Sequence, residues 1–293
     1  MNARKNLFQI VTALVAVFTL ILTGCGREPE VEPLRIAFIP GGDIDTEMAL
    51  FAPIVDSVST QIDRPIEIEV ATSYAAVVEA LRNGHVDLAR LGPFTYILAR
   101  NEGIPIEPLV VESLVGKGTS YQCWLIARTD AGVEFDWTPE AASQLTLALV
   151  EEGSTSGSIL PQAEMLQYDP PLGLDSWLKL VWSGSHNASI AAVQERQVDL
   201  AFVASRRLDA AIAQGVVAPG EIEVLWSSGD IPNSPFVARS DLGIETLRNL
   251  TFAFQHVPGE VLAPNIASFE PAADSTYTYL YRVGEQVQAL EAR

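Results

Sequence analysis

The feature that most constrains this chain is a phrase it uses twice. Val86-Asp87-Leu88-Ala89 recurs as Val198-Asp199-Leu200-Ala201, and the same offset sets Gly103 against Gly215 and Tyr74 against His186. Each phrase reads as a buried strand with a helix before it and a glycine after it. Apolar runs of strand length alternate with helical patterns along most of the chain, which predicts an α/β fold with largely parallel sheets flanked by helices on both faces. The repetition predicts two similar lobes, each opening a helix with a hydrogen-bonding side chain, facing one another across a cleft. In open α/β sheets a ligand sits beyond the carboxyl ends of the strands, where helix N-termini converge.

The elements follow from local chemistry. Residues 34–39 read as a strand, turned by Pro40, Gly41 and Gly42 toward a helix from about Asp45 to Ser59. A second strand covers 66–71, and Thr72 or Ser73 caps a helix carrying Tyr74, Val77, Val78 and Leu81 at i, i+3, i+4 and i+7, ended by Asn83-Gly84. Residues 86–91 form a third strand, closed by Gly92-Pro93, and a helix over 95–101 follows. Beyond Gly118 the pattern restarts with strands at 121–127, 145–150, 177–181 and 198–203. Further strands are expected at 224–226 and 250–255, and Phe269, Tyr277, Tyr279 and Tyr281 form an aromatic tail that packs on a lobe.

The stretch 145–166, LTLALVEEGSTSGSILPQAEML, is the most suggestive for binding. A buried strand meets Gly153, then Ser154, Thr155 and Ser156 crowd three hydroxyls into one turn, and Gly157 removes the side chain that would block approach to the backbone. A helix starting there aims its unpaired N–H groups at whatever fills the turn. Serine and threonine are also ordinary N-caps, so the turn alone leaves capping open. No lysine follows Gly157, so this is no nucleotide loop; the guest suggested is a small oxyanion held by neutral donors.

Charge narrows the partners. The 293 residues carry a formal charge of −19, which disfavours nucleic acid and obliges an anion to rely on local donors. Arg4 and Lys5 precede an apolar run to Leu22, then Thr23-Gly24-Cys25, the pattern of a lipoprotein signal peptide over 1–24. Cys25 is the expected lipidation site, and 25–33 a tether. With Cys25 so used, Cys123 stands alone, which leaves no intrachain disulfide, and no metal or cofactor is expected.

Several ordered motifs together resemble one family. Thr72-Ser73-Tyr74-Ala75-Ala76, Glu79-Ala80-Leu81-Arg82-Asn83-Gly84, Val86-Asp87, Gly92-Pro93-Phe94, Ser154-Thr155-Ser156-Gly157, Gly184-Ser185-His186 and Ile231-Pro232-Asn233 are similar to those of the phosphonate, phosphate and phosphite-binding proteins of ABC importers. The resemblance implies a two-lobed type II periplasmic-binding-protein fold with a hinge, 34–118 and 228–293 forming one lobe and 119–227 the other. It implies that Tyr74, Tyr121, Ser154, Thr155, Ser156 and His186 surround the phosphorus-centred group; Thr95 and Tyr96, at another helix start, and Ser234 are further candidates. Each donor to an ionised acceptor contributes roughly 1.5–3 kcal/mol net, so a handful reaches the ~8 kcal/mol of micromolar binding. His186 can donate as imidazole or imidazolium, and a bound phosphate favours the charged form.

Two departures from the family pattern bear on the ligand. Members that bind aminoalkyl phosphonates resemble one another in having an acidic residue just past the strand equivalent to 198–203, and here that segment reads Ala204-Ser205-Arg206-Arg207. Asp commonly follows Ile-Pro-Asn, and here Ser234 does. The expected ligand therefore lacks an amine: phosphate, phosphite or a simple alkyl phosphonate. The expected protein is a monomeric, lipid-anchored receptor on the outer face of the cell membrane, serving an ABC permease and its ATPase. A receptor feeding a membrane sensor would use the same pocket, while a phosphoesterase using Ser156 and His186 lacks an orienting acid.

Overall fold

The computed structural model describes residues 32–39 and 44–291. The leader 1–24, Cys25, most of the tether 25–33 and the Pro40-Gly41-Gly42 turn lie outside the described residues. In chain order the elements are β1 (Leu34–Phe38), α1 (Ile44–Gln61), β2 (Ile66–Val70), α2 (Tyr74–Arg82), β3 (Leu88–Arg90), α3 (Pro93–Asn101), β4 (Ile106–Leu114) and β5 (Ser120–Tyr121). Next come β6 (Cys123–Arg128), α4 (Pro139–Ala142), β7 (Thr146–Leu149), α5 (Leu160–Met165), β8 (Lys179–Trp182), α6 (His186–Gln194), β9 (Leu200–Ala204) and α7 (Ser205–Ala213). The chain closes with β10 (Ile222–Ser227), β11 (Ile231–Pro232), β12 (Pro235–Arg239), α8 (Ile244–Gln255), β13 (Ile266–Pro271), α9 (Asp274–Tyr277) and α10 (Tyr279–Glu291).

Two sheets divide the strands. One runs β13-β4-β12-β3-β1-β2, the other β10-β6-β9-β7-β8. Both are mixed. The three strands β2, β1 and β3 are parallel, as are β8, β7 and β9, while the remaining pairings are antiparallel. The expected parallel order thus holds at the βαβ units, and strands that cross between the sheets reverse direction. β5 and β11 pair with each other at Ile231↔Tyr121 between the two sheets, so Tyr121 stands where the chain crosses.

The repeated phrase is a repeat in three dimensions. Ser73 caps α2 by accepting Ala76 N–H at 3.1 Å, and Ser185 caps α6 by accepting Ala188 N–H at 3.1 Å. Asp87 accepts the Arg35 N–H at 2.9 Å, and Asp199 accepts the Thr146 N–H at 2.7 Å, so each carboxylate pins the start of the neighbouring strand. After each helix the chain turns through positive φ, with Gly84 at 68° and Arg196 at 59°. Glycine adopts that conformation without strain, whereas an arginine does so at a cost.

One expected element differs. Residues 250–255 belong to helix α8, not a strand, because Leu247, Leu250, Ala253 and Phe254 bury one face at helical spacing against Phe236 and Phe269. Thr251, Phe252 and Phe254 favour strands intrinsically, and packing overrides that preference. In the aromatic tail, Phe269 is buried in β13, Tyr277 is fully buried, and α10 packs on both α3 and α5. No helix among the described residues is long and apolar enough to cross a membrane.

Candidate functional site

The hydroxyl turn sits at the end of β7, and its geometry is set by two glycines. Ser154 caps it, its Oγ accepting Gly157 N–H at 3.1 Å, and Ile159 N–H reaches back five residues to Ser154 O at 3.1 Å. This wide π-type turn precedes α5, a geometry often found at functional sites. A Cβ on Gly157 would stand 2.4 Å from Val150 Cγ2, so the turn closes only around glycine. At Gly153, a Cβ would meet Tyr74 Cβ at 3.0 Å, so this glycine lets the second sheet's turn approach α2.

That approach forms a line of hydrogen bonds between elements of the two sheets. Phe94 N–H donates to Thr155 Oγ1 at 2.9 Å, Thr95 Oγ1 donates to Gly153 O at 3.0 Å, and Tyr74 N–H donates to Glu151 Oε2 at 3.2 Å. Beside them lies a small cavity of about 30 Å³. Tyr74, Tyr121, Ser154, Thr155, Ser156, His186 and Ser234 all line it, from five separate stretches of chain. Tyr74 does this while packing in the apolar cluster with Val77 and Leu81. Burial raises both phenols' pKa, so Tyr74 and Tyr121 remain neutral donors.

Thr95 and Tyr96 do not line it. Thr95 faces a wider groove and spends its hydroxyl on Gly153, while Tyr96 is fully buried, donating to Asp274 Oδ1 at 2.7 Å and packing edge-on to Tyr277. The wider groove, of about 670 Å³, carries Glu79, Glu102, Glu151 and Glu152, an unsuitable lining for an anion.

His186 is fixed as a neutral donor. Its Nδ1 accepts Ala204 N–H at 3.2 Å, which leaves the ring proton on Nε2. Burial, reinforced by the nearby Arg207 and Arg206 charges, pushes its pKa well below 6.5. The imidazolium alternative is therefore disfavoured in this arrangement, and among the described residues no carboxylate is hydrogen-bonded to the ring.

The cavity is not lined by neutral donors alone, and this corrects the sequence expectation. Arg90 of β3 and Arg206 and Arg207 at the start of α7 also face it. Arg90 makes two hydrogen bonds to Glu112, each 2.7 Å, and Arg207 pairs with Glu47. Burial alone would raise the Glu112 carboxyl, but the Arg90 charge and its hydrogen bonds hold it below 4.5. Arg206 lies over the Tyr121 ring, 4.7 Å from its centroid, and donates Nη2 to Ser234 Oγ at 3.2 Å. Its Nε and Nη1 are buried without a hydrogen-bond partner, and so is Ser156 Oγ. Burial and the neighbouring Arg90 charge lower the Arg206 pKa to about 10. The sequence signal for these arginines was the Arg206-Arg207 pair at a helix start, where a carboxylate had been sought.

Comparison with known proteins identifies the family. Residues 36–277 match the family of ABC-transporter phosphonate periplasmic substrate-binding proteins. The chain is 28% identical to the phosphate-import protein PhnD of Mycolicibacterium smegmatis over 246 residues, covering 82% of this chain and 74% of the relative. A binding-protein component of an ABC phosphonate transporter from Pseudomonas aeruginosa superposes with a TM-score of 0.79 at 20% identity, covering 88% of this chain and 87% of that one. PhnD1 from Prochlorococcus marinus, in complex with methylphosphonate, superposes with a TM-score of 0.76 at 18% identity, covering 89% and 99%. The chain belongs to the phosphonate periplasmic substrate-binding proteins of ABC transporters, two-lobed receptors of the type II fold rather than enzymes.

Proposed function

We propose that this substrate-binding component carries a small phosphorus oxyanion without an amine, namely phosphate, phosphite or a simple alkyl phosphonate. Tyr74, Tyr121, Ser154, Thr155, Ser156 and His186 hold it, with Ser234, Arg206 and Arg207 completing the shell. The observation that carries the reading is the set of buried polar atoms lacking a partner around the cavity, Ser156 Oγ and Arg206 Nε and Nη1. Each such group costs about 1–3 kcal/mol when left dry, so the site favours a guest that satisfies them together. The cavity's small size and the arginines in place of a carboxylate argue against an aminoalkyl substituent. The relatives that import phosphate or hold methylphosphonate support the same chemistry.

In this reading the lobes, 34–118 with 228–293 and 119–227, swing about the β5 and β11 crossings and close on the ligand, and the closed form engages the permease. Cys25 carries the lipid that keeps the receptor at the outer face of the membrane. Calorimetry on residues 33–293 tests the ligand class, with binding of phosphate, phosphite or methylphosphonate expected at micromolar affinity or better. Tighter binding of 2-aminoethylphosphonate than of all three would reject it. Fractionation tests the anchor, since Cys25→Ser is expected to release the protein from the membrane fraction.

A further inference from the structure

We propose that the cavity takes its guest as a dianion with no protonated oxygen, and that Arg206, held in place by Ser234, sets this choice. The inference rests on the ligand class proposed above and goes on to name the ionisation state.

Charge is the first argument. Three guanidiniums line the cavity, Arg90 from β3 and Arg206 and Arg207 from α7, and among the described residues two carboxylates pair with them. Glu112 of β4 gives both oxygens to Arg90, and Glu47 of α1 takes Arg207. Arg206 Nη1 is 4.0 Å from Glu112 Oε2, too far for a hydrogen bond. The other titratable groups around Arg206 are Tyr74 from α2, Tyr121 from β5 and His186 from α6, all uncharged as described. Arg206 is thus the guanidinium of the three with no carboxylate hydrogen-bonded to it, only neutral Ser234 and a long ion pair to Glu112, and its unpaired Nε and Nη1 read as the seat of an anion's charge.

Hydrogen-bond polarity is the second. A protonated ligand oxygen is best met by a charged acceptor, and no Asp or Glu lines the cavity, whose side-chain oxygens are all neutral hydroxyls and phenols that already take part in other bonds or can donate. Ser154 Oγ accepts Gly157 N–H, Thr155 Oγ1 accepts Phe94 N–H, His186 Nδ1 accepts Ala204 N–H, and Ser234 Oγ accepts Arg206 Nη2. Each of these hydroxyls keeps its own proton to donate and one lone pair, a weaker acceptor than a carboxylate, while His186 keeps only the proton on Nε2. Ser156 Oγ has no partner and can donate or accept. Phosphite and methylphosphonate dianions offer three bare oxygens and ask for no acceptor. Hydrogen phosphate must set one P–OH against a neutral hydroxyl or phenol with no carboxylate to take it, and every singly charged form carries the same burden.

Two consequences follow. Phosphite and methylphosphonate bind more tightly than phosphate at a given pH. Below a ligand's second pKa the affinity rises about tenfold per pH unit, because binding must expel a proton, and above it the rise stops. The break follows the ligand and not the protein, so it lies at different pH for phosphite and methylphosphonate.

Calorimetry on residues 33–293 between about pH 5.5 and about pH 8.5, in buffers of differing ionisation enthalpy, reads the protons directly. Release approaching one proton per methylphosphonate is expected well below that ligand's second pKa and none above it, with phosphite breaking at its own pKa. Arg206→Gln is expected to weaken methylphosphonate by about tenfold or more at high pH and to flatten the pH slope. Ser234→Asp, which leaves the hydroxyl turn untouched, gives Arg206 a carboxylate and the cavity an acceptor, so phosphate gains on methylphosphonate and the slope shrinks. Thermal melts confirm that each variant folds. Methylphosphonate binding with no proton release below its second pKa, or phosphate binding tighter than both other anions, would overturn the inference and leave the ligand class standing. Failure of all three anions to bind at any pH would instead remove the ligand class on which it rests.

Discussion

The Thr155 hydroxyl oxygen accepts the Phe94 N–H at 2.9 Å, joining the turn after β7 to the first turn of α3. With Thr95 to Gly153 and Tyr74 to Glu151, it makes the contacts between the two sheets' elements polar and directional. The same hydroxyl lines the cavity, so closing the cleft and holding the guest share an atom. Thr155→Val keeps the shape and strands a buried N–H in the closed form, at about 1–3 kcal/mol. Methylphosphonate affinity is expected to fall roughly tenfold or more by calorimetry, while unchanged affinity would show that closure does not use this bond.

Ser156 gives a cleaner separation of binding from folding. Its Oγ is buried without a partner, while its carbonyl accepts the Cys123 thiol at 3.0 Å and would persist in an alanine variant. Ser156→Ala is expected to leave denaturant stability of the free protein unchanged or slightly raised. Its affinity should drop by about 1.5–3 kcal/mol, roughly ten- to a hundredfold. A large loss of stability with intact affinity would make the residue structural.

Gly157 is the test of the turn itself. An added methyl would meet Val150 Cγ2 at 2.4 Å and Ser154 Oγ at 2.8 Å, and the first of these is a β-branched side chain with little freedom to move. Gly157→Ala is expected to cost about 1–3 kcal/mol in urea unfolding despite alanine's better helix propensity. A neutral result would mean that the turn has slack.

How much was legible in the sequence depended on distance along the chain. The serine turn, the capped helices at Tyr74 and His186 and the repeated VDLA phrase are local chemistry, and each stands where its pattern put it. The arginines were missed because their meaning lies elsewhere. Arg90 is one residue of a buried strand until Glu112, in the adjoining part of the sheet, gives it a reason, and Arg207 needs Glu47 from the first helix. A net charge of −19 also pointed toward neutral donors, yet net charge averages over a surface and says nothing of a pocket. Thr95 and Tyr96 misled for the opposite reason, since a helix start supplies hydroxyls whose partners are set by packing.

Stability should depend on pH through the same residues. His186 is held neutral with its pKa well below 6.5. As pH falls through about 6.5 the unfolded chain takes up a proton that folded His186 refuses, and stability declines by up to about 1.4 kcal/mol per pH unit. Glu112, lowered in the folded state, contributes stability above 4.5 that is lost as pH falls further. Urea titrations should therefore show a two-part acid decline, and His186→Gln should remove only the upper part. A profile flat down to about pH 5 would contradict a buried neutral imidazole.

The most direct measurement is a crystal structure of residues 33–293 grown with methylphosphonate. The account predicts the phosphorus group in the small cavity, its oxygens within hydrogen-bond distance of Ser156 Oγ, His186 Nε2 and Arg206, with no oxygen facing a carboxylate. Ligand found instead in the glutamate-lined groove, or a cavity empty at saturating ligand, would contradict it.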